Sequence, residues 1–471
     1  MLRKRFLKTL APIAAITSLV IGSYAATSSV EAKPDRKKSE IKNVIFLIGD
    51  GMGPSYTTMY RYLKDDQSTK NMEPTAFDQY LVGTQSTYSW DPYFNGGEGD
   101  VKENIPDSAA TATSMAAGIK TYNGAISVDM EKENVKTILE EAKEQGKATG
   151  LVATSQINHA TPASFGAHDE SRNNYNAIAD DYYDEIIDGE HKVDVMLGGG
   201  TSYFVREDRN LAEEFQADGY SYVTTKEDML KDNNDQILGL FAPKGLDKMI
   251  DRDEETPSLS EMTNTALGKL KDDKDGFFLM VEGSQIDWAG HDNDVVSAMS
   301  EMADFEKAFE DAIEFAKKDK HTLVVATADH STGGLAIGRG GEYVFNPDVI
   351  KAAERTPDYM AAEIADGAEV EEVLNEYSGL DLTEEEVNSV KEAAQADENG
   401  VIDVVKVDDA IEHIYDVRSG TGWTTSGHTG VDVNVYAYGP KKFKFSGLND
   451  NTETGQTLFE VLKAKHPHKK H

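Results

Sequence analysis

Residues 44–48, 150–153, 195–197, 277–281 and 323–326 form short, nearly unbroken apolar runs, and several of them stop abruptly at a polar residue. A strand that is apolar at every position is buried on both faces, which is the pattern of a parallel sheet rather than of a half-solvated antiparallel one. Stretches with helical composition lie between these runs, among them 135–144 and 298–317. Alternation of buried strand and helix predicts an α/β fold, a central mostly parallel sheet flanked by helices on both faces. Open sheets of this kind bind ligands beyond the carboxyl ends of their strands. Those ends are where the polar residues fall: Asp50 in Gly49-Asp50-Gly51-Met52-Gly53, Glu282 after the run at 277–281, and Asp329-His330 shortly after 323–326. One such acid is ordinarily a turn former or a helix cap. Three or four ends converging on one edge make a site.

The chemistry available there is limited by composition. The 471 residues include no cysteine, so disulfides, iron–sulfur clusters, cysteine-ligated zinc and thiol nucleophiles are excluded, and a transition metal must be held by His, Asp and Glu. A formal net charge of −37 repels phosphate backbones and anionic lipid, which argues against a nucleic-acid-binding or membrane-surface role. Residues 1–32 read as a secretory signal peptide: Arg3, Lys4, Arg5 and Lys8 precede an apolar stretch at 10–22, and cleavage fits after Ala25 or Ala32. The apolar stretch is short of the roughly 20 residues that a spanning helix needs, so no stable membrane insertion is expected after cleavage. The expected location is extracellular, secreted or cell-wall associated. The acidity fits either plain solubility there or adaptation to salt. Residues 465–471, rich in His and Lys, read as a mobile tail.

Sorted by hardness, the candidate ligands form three sets. Asp287 and His291 stand at i and i+4, which share a face on a helix, and His428 sits in Gly427-His428-Thr429-Gly430. Two imidazoles and a carboxylate suit zinc and leave a coordination position open. Asp50, Asp329 and His330 suit a second zinc, provided the chain turns after 328. Asp50, Glu282 and Thr161 offer only oxygen and suit magnesium. The glycines around Asp50 match neither the dinucleotide fingerprint nor a phosphate loop.

Ser108 lies in Asp107-Ser108-Ala109-Ala110-Thr111-Ala112, which reads as a helix start. The bland reading is an N-cap; the functional one is a hydroxyl held where a helix amino end favours an anion. A serine hydroxyl needs activation, and no Gly-x-Ser-x-Gly elbow is present, so a metal is the expected activator.

These motifs, in this order and with His159-Ala160-Thr161-Pro162 and Arg172 between them, resemble the motif set of alkaline phosphatases, particularly those secreted by bacilli. The resemblance runs from about residue 44 to about residue 439. It implies a phosphomonoesterase with two zinc ions and one magnesium per chain, acting on small phosphate monoesters and releasing inorganic phosphate. Ser108 would become phosphoserine, and Arg172 would clamp two phosphate oxygens. His159 stands where the enterobacterial type has an aspartate near the magnesium, and Trp288 where that type has a lysine. These two are accessory candidates that leave the third ion open to zinc or cobalt. The family is often dimeric, so a homodimer is open too. The catalytic α/β domain is expected over 33–346 and 415–464, with an acidic helical insertion at 347–414 near the active site. The rival readings are a related phosphodiesterase or sulfatase, and an exported phosphate- or cation-binding protein without turnover.

Overall fold

The computed structural model describes residues 41–90 and 102–463. The segments read as signal peptide and tail lie outside the described residues. Ten strands form one sheet: β1 (Asn43–Gly49), β2 (Leu81–Ser86), β3 (Ala148–Gln156), β4 (Val195–Gly199), β5 (Ser221–Val223), β6 (Ile237–Leu240), β7 (Phe277–Gly283), β8 (Thr322–Ala328), β9 (Val433–Tyr438) and β10 (Gly447–Asp450). Their spatial order is β10-β2-β9-β8-β1-β7-β3-β4-β6-β5. Only β9 runs against the rest, pairing antiparallel with β8 and β2. The five apolar runs are β1, β3, β4, β7 and β8, and they occupy adjacent places at the centre.

Successive strand residues point to opposite faces, so an all-apolar strand feeds two cores. Ile45 and Leu47 of β1 enter one cluster, with helices α4 (Leu259–Leu270) and α6 (Val295–Asp319). Val44, Phe46 and Ile48 enter the other, with α2 (Ser108–Ala117), α3 (Ala160–Gly166) and α12 (Asn451–Leu462). This is the mostly parallel, doubly covered sheet that the runs predict.

Register sets the site. Ile48 stands beside Glu282 on β7 and Thr327 on β8, and Gly49 beside Gly283 and Ala328. Asp50, Glu282 and Asp329 therefore leave the sheet at one level of one edge. From β1 the chain passes through residues 50–53 into α1 (Pro54–Lys64), and from β7 into α5 (Gln285–Asp292). Residues 347–414 hold α7 (Pro347–Lys351), α8 (Pro357–Ala365), α9 (Val370–Tyr377), α10 (Glu384–Ala393) and the start of α11 (Val404–Ser419). Val349, Met360, Leu374, Val390, Val407 and Ile411 from these helices share the core cluster of α6, so they are packed onto the main body. No helix among the described residues is long and apolar enough to cross a membrane.

Candidate active site

Asp287 and His291 sit one turn apart on α5, with Oδ2 and Nε2 separated by 3.4 Å. His428 reaches them from the two-residue strand His428–Thr429, which pairs with Ser331–Thr332 just after β8. Its Nε2 is 3.5 Å from Asp287 Oδ1 and 3.0 Å from His291 Nε2. Each imidazole is oriented from behind. Nδ1 of His291 donates to the Ser426 carbonyl at 2.6 Å, and Nδ1 of His428 to the Pro106 carbonyl at 2.8 Å. With the protons on Nδ1, two Nε2 lone pairs face each other at hydrogen-bond distance. That contact is repulsive unless a cation lies between them, and outward N–H bonds of this kind are what orient metal-binding histidines.

His330 adjoins this set and a second one. Its Nε2 is 3.4 Å from Asp50 Oδ1, 3.2 Å from Asp329 Oδ2 and 3.1 Å from Ser108 Oγ. The chain does turn after β8: Asp329 Oδ1 accepts from the Gly51 amide at 3.0 Å. Gly51 has φ +72°, and a Cβ there would lie 2.8 Å from the Asp287 Cα, so only glycine fits between the two ligand loops. Carboxylate oxygens of Asp50 and Asp329 and a nitrogen of His330 lie within 4.8 Å of one another. The same holds for Asp287, His330 and His428, and for Asp50, His159 and Glu282.

The third group alters the weighting of one residue. His159, an accessory candidate from the sequence, stands in the oxygen-rich set itself. It is buried, and its Nδ1 has no hydrogen-bond partner. The same is true of both Asp50 oxygens, of Glu282 Oε1 and of Thr161 Oγ1. Buried polar atoms are normally paired, and a cluster of orphans at one point is the signature of an ion-binding cradle. Glu282 Oε2 accepts from Ser155 Oγ at 3.3 Å. Trp288 stands edge-on to His159, with ring centroids 5.6 Å apart, and Lys248 Nζ lies 6.0 Å from the Trp288 centroid.

Charge tells the same story. Burial pushes Asp50 well above the usual carboxylate range, and Asp329, Asp287 and Glu282 add to it. Burial also raises Asp329, and raises Glu282 to about 7. Burial works against ionisation of Asp287 as well, but the neighbouring imidazoles of His291, His330 and His428 hold it far below its ordinary value. Burial, then His428, drives His330 well below the ordinary imidazole value, and burial, then Arg172, lowers His159 to about 3. Four carboxylates buried in one cluster carry a negative charge that divalent cations would neutralise. The donor set fits metals.

Ser108 is the first residue of α2, capped by Asp107, whose Oδ1 accepts from the Ala110 amide at 2.9 Å. The other Asp107 oxygen accepts from Arg172 Nη1 at 3.0 Å. Arg172 Nη2 is 3.2 Å from His159 Nε2. One carboxylate thus pins both the helix that carries the hydroxyl and the guanidinium beside it. All ten ligand and anion-handling candidates, Asp50, Ser108, Thr161, Arg172, Glu282, Asp287, His291, Asp329, His330 and His428, meet here. Sequence reasoning passed over Thr332, whose hydroxyl donates to Asp287 Oδ1 at 2.5 Å and lies 3.3 Å from His330 Nδ1. Its Ser331-Thr332-Gly333-Gly334 setting reads only as a turn.

The alkaline phosphatase family model matches residues 41–464. The chain belongs to the alkaline phosphatase family. Alkaline phosphatase 3 of Bacillus subtilis is 60% identical over 466 residues, 98% of each chain, and alkaline phosphatase 4 of the same organism is 53% identical over 96% of each. Among solved structures, the cold-active alkaline phosphatase of a psychrophilic Shewanella species is 40% identical, with a TM-score of 0.80 over 89% of this chain and 99% of that one. Alkaline phosphatases are phosphoric monoester hydrolases, and the constellation at the sheet edge is placed to do that chemistry.

Proposed function

We propose that the protein hydrolyses small phosphate monoesters in two displacements at Ser108, with two zinc ions and one magnesium per chain. Asp287, His291 and His428 would hold one zinc, Asp50, Asp329 and His330 the other, and Asp50, Thr161, Glu282 and His159 the third ion. Bound there, the metals would supply Lewis acidity that favours the serine alkoxide and offsets charge on the departing oxygen. Arg172 binds phosphate oxygens with its planar fork, and Asp107 holds that fork in place. Ser108 Oγ attacks phosphorus and the alcohol leaves, so the phosphoryl group passes to the serine. Water then cleaves the new P–O bond, releases inorganic phosphate and restores the hydroxyl. The amino end of α2 favours the anion throughout. Positioning and charge neutralisation are what phosphoryl transfer needs most.

The observation that carries this reading is Ser108 Oγ at 3.1 Å from His330 Nε2, between two ligand sets and at a helix start. Ser108→Ala should lower kcat/KM for a nitrophenyl monoester by roughly 10³-fold or more. Acid quenching during turnover should leave one phosphoryl group on Ser108 in peptide mass spectra. Unchanged turnover in the variant rules out the covalent route. Exhaustive chelation should abolish activity and zinc with magnesium restore it, with elemental analysis giving the metal ratio. The signal-like start supports export, and amino-terminal sequencing of protein from the medium should find cleavage after Ala25 or Ala32.

A further inference from the structure

A second cluster of acids lies where α5 and α6 meet the helices of residues 347–419. Asp292 ends α5, and Asp408 and Glu412 stand one turn apart on α11, so they share a face. Carboxylate oxygens of the three lie within 4.8 Å of one another. Asp358, in the first turn of α8, adds its charge beside Asp292. Asp294 adds charge but is already used, capping α6 through the amides of Val296 and Ser297.

Acids on a surface would mean little. Here Asp408 is 3% exposed and Glu412 6%, and Asp408 Oδ1 and Glu412 Oε1 have no hydrogen-bond partner. Among the described residues no lysine or arginine is paired with Asp292, Asp408 or Glu412. The adjacent cation, Lys248, gives its Nζ to Gln285 Oε1 at 2.9 Å instead. Burying carboxylates without partners is costly unless an ion satisfies them.

We propose that Asp292, Asp408 and Glu412, with Asp358 at the rim, form a calcium site that clamps α11 to α5. The donors are all hard oxygens with no imidazole, which disfavours zinc. Calcium takes six to eight oxygens in a flexible arrangement, whereas magnesium demands a near-ideal octahedron and keeps several of its waters, so three converging carboxylates with a fourth at the rim favour calcium. Burial, reinforced by the surrounding acids, pushes Asp408 up to about 9 and Glu412 up to about 12 when no cation is present, the electrostatic complement of the unpaired oxygens. Because α5 also carries Asp287 and His291, the clamp holds the active-site helix against the insertion.

The test uses the full enzyme loaded with zinc and magnesium, titrated with calcium chloride. Equilibrium dialysis with radioactive calcium should find one further ion per chain, and the melting temperature should rise by several degrees on the same concentration scale. Glu412→Gln should lose both the ion and the rise, while its melting temperature without calcium is little changed, because the carboxyl it replaces is already uncharged when no cation is bound. Asp358→Asn, at an exposed position, should fold and bind calcium several-fold more weakly, which decides the matter if Glu412→Gln does not fold. No additional calcium in the loaded enzyme, or unchanged binding in both variants, overturns the proposal. Neither readout depends on turnover, so the result is independent of the phosphatase mechanism.

Discussion

A single hydroxyl links two ligands of the active site. His330 Nδ1 faces Thr332 Oγ1, which in turn donates to Asp287 Oδ1. That relay places the His330 proton on Nδ1 and leaves Nε2 free to face Ser108, Asp50 and Asp329. Thr332 is fully buried. Thr332→Val keeps the volume but strips Asp287 of a donor, so zinc affinity should fall about 10-fold or more, measured by competition with a chelator. Stability of the loaded enzyme should fall by about 1–3 kcal/mol. Glu282 gives a pH signature. Its carboxyl is raised from an ordinary 4.5 to about 7 by burial, so the metal-free fold binds a proton there that the unfolded chain has lost. Stability of the metal-free protein should therefore be highest below pH 4.5 as far as this group is concerned, and fall as pH rises towards 7. The span is about 3 kcal/mol at 1.36 kcal/mol per pKa unit. Urea melts across pH 4.5–8 on the metal-free protein should show a decline that is shallower in Glu282→Gln. Equal slopes in the two proteins would count against it.

At the scale of elements, α2 and the loop carrying Arg172 are coupled through Asp107. Asp107→Ala removes the cap of α2, worth about 1 kcal/mol, and frees the guanidinium. The expected kinetic result is a rise in KM for monoesters larger than the fall in kcat, because the loss is mainly in phosphate binding; an unchanged KM would separate the two roles. The central strands were legible because each is an uninterrupted apolar run, and the ligands because they end those runs. Asp287 and His291 were legible as an i, i+4 pair. The peripheral strands were not. β2 is exposed or half-buried at every position except Gln85, and β5 has three residues, so neither carries a periodic signal. Thr332 and the double duty of Asp107 were also hidden. They act on residues 45 and 65 positions away, and such contacts exist only once the sheet has brought its loops together. His159 lay in between: its motif was visible, but not that its orphaned Nδ1 stands among the acids of the third site.

At the scale of the molecule, 84 acidic residues against 47 basic ones set a standing repulsion that the folded state must bear. Some of it is locally relieved, as where Arg252 bonds both Glu301 and Asp304 within the core, and Arg418 on α11 bonds Glu386 on α10. The surplus cannot be paired, because there are too few cations in the chain. Salt acts on that surplus. Raising ionic strength from 0.01 to 0.1 M shortens the screening length from about 30 Å to about 10 Å, and 1 M brings it to about 3 Å, below the spacing of most surface charges. Self-repulsion favours the expanded chain, so screening should stabilise the fold. The melting temperature of the metal-loaded enzyme should climb between 0.01 and 1 M NaCl, and activity should persist at 1 M. Buried ion pairs such as Arg252–Glu301 are shielded from solvent and should not offset the gain. A melting temperature that stays flat, or activity that collapses at molar salt with the fold intact, would mean that the acidity serves solubility alone.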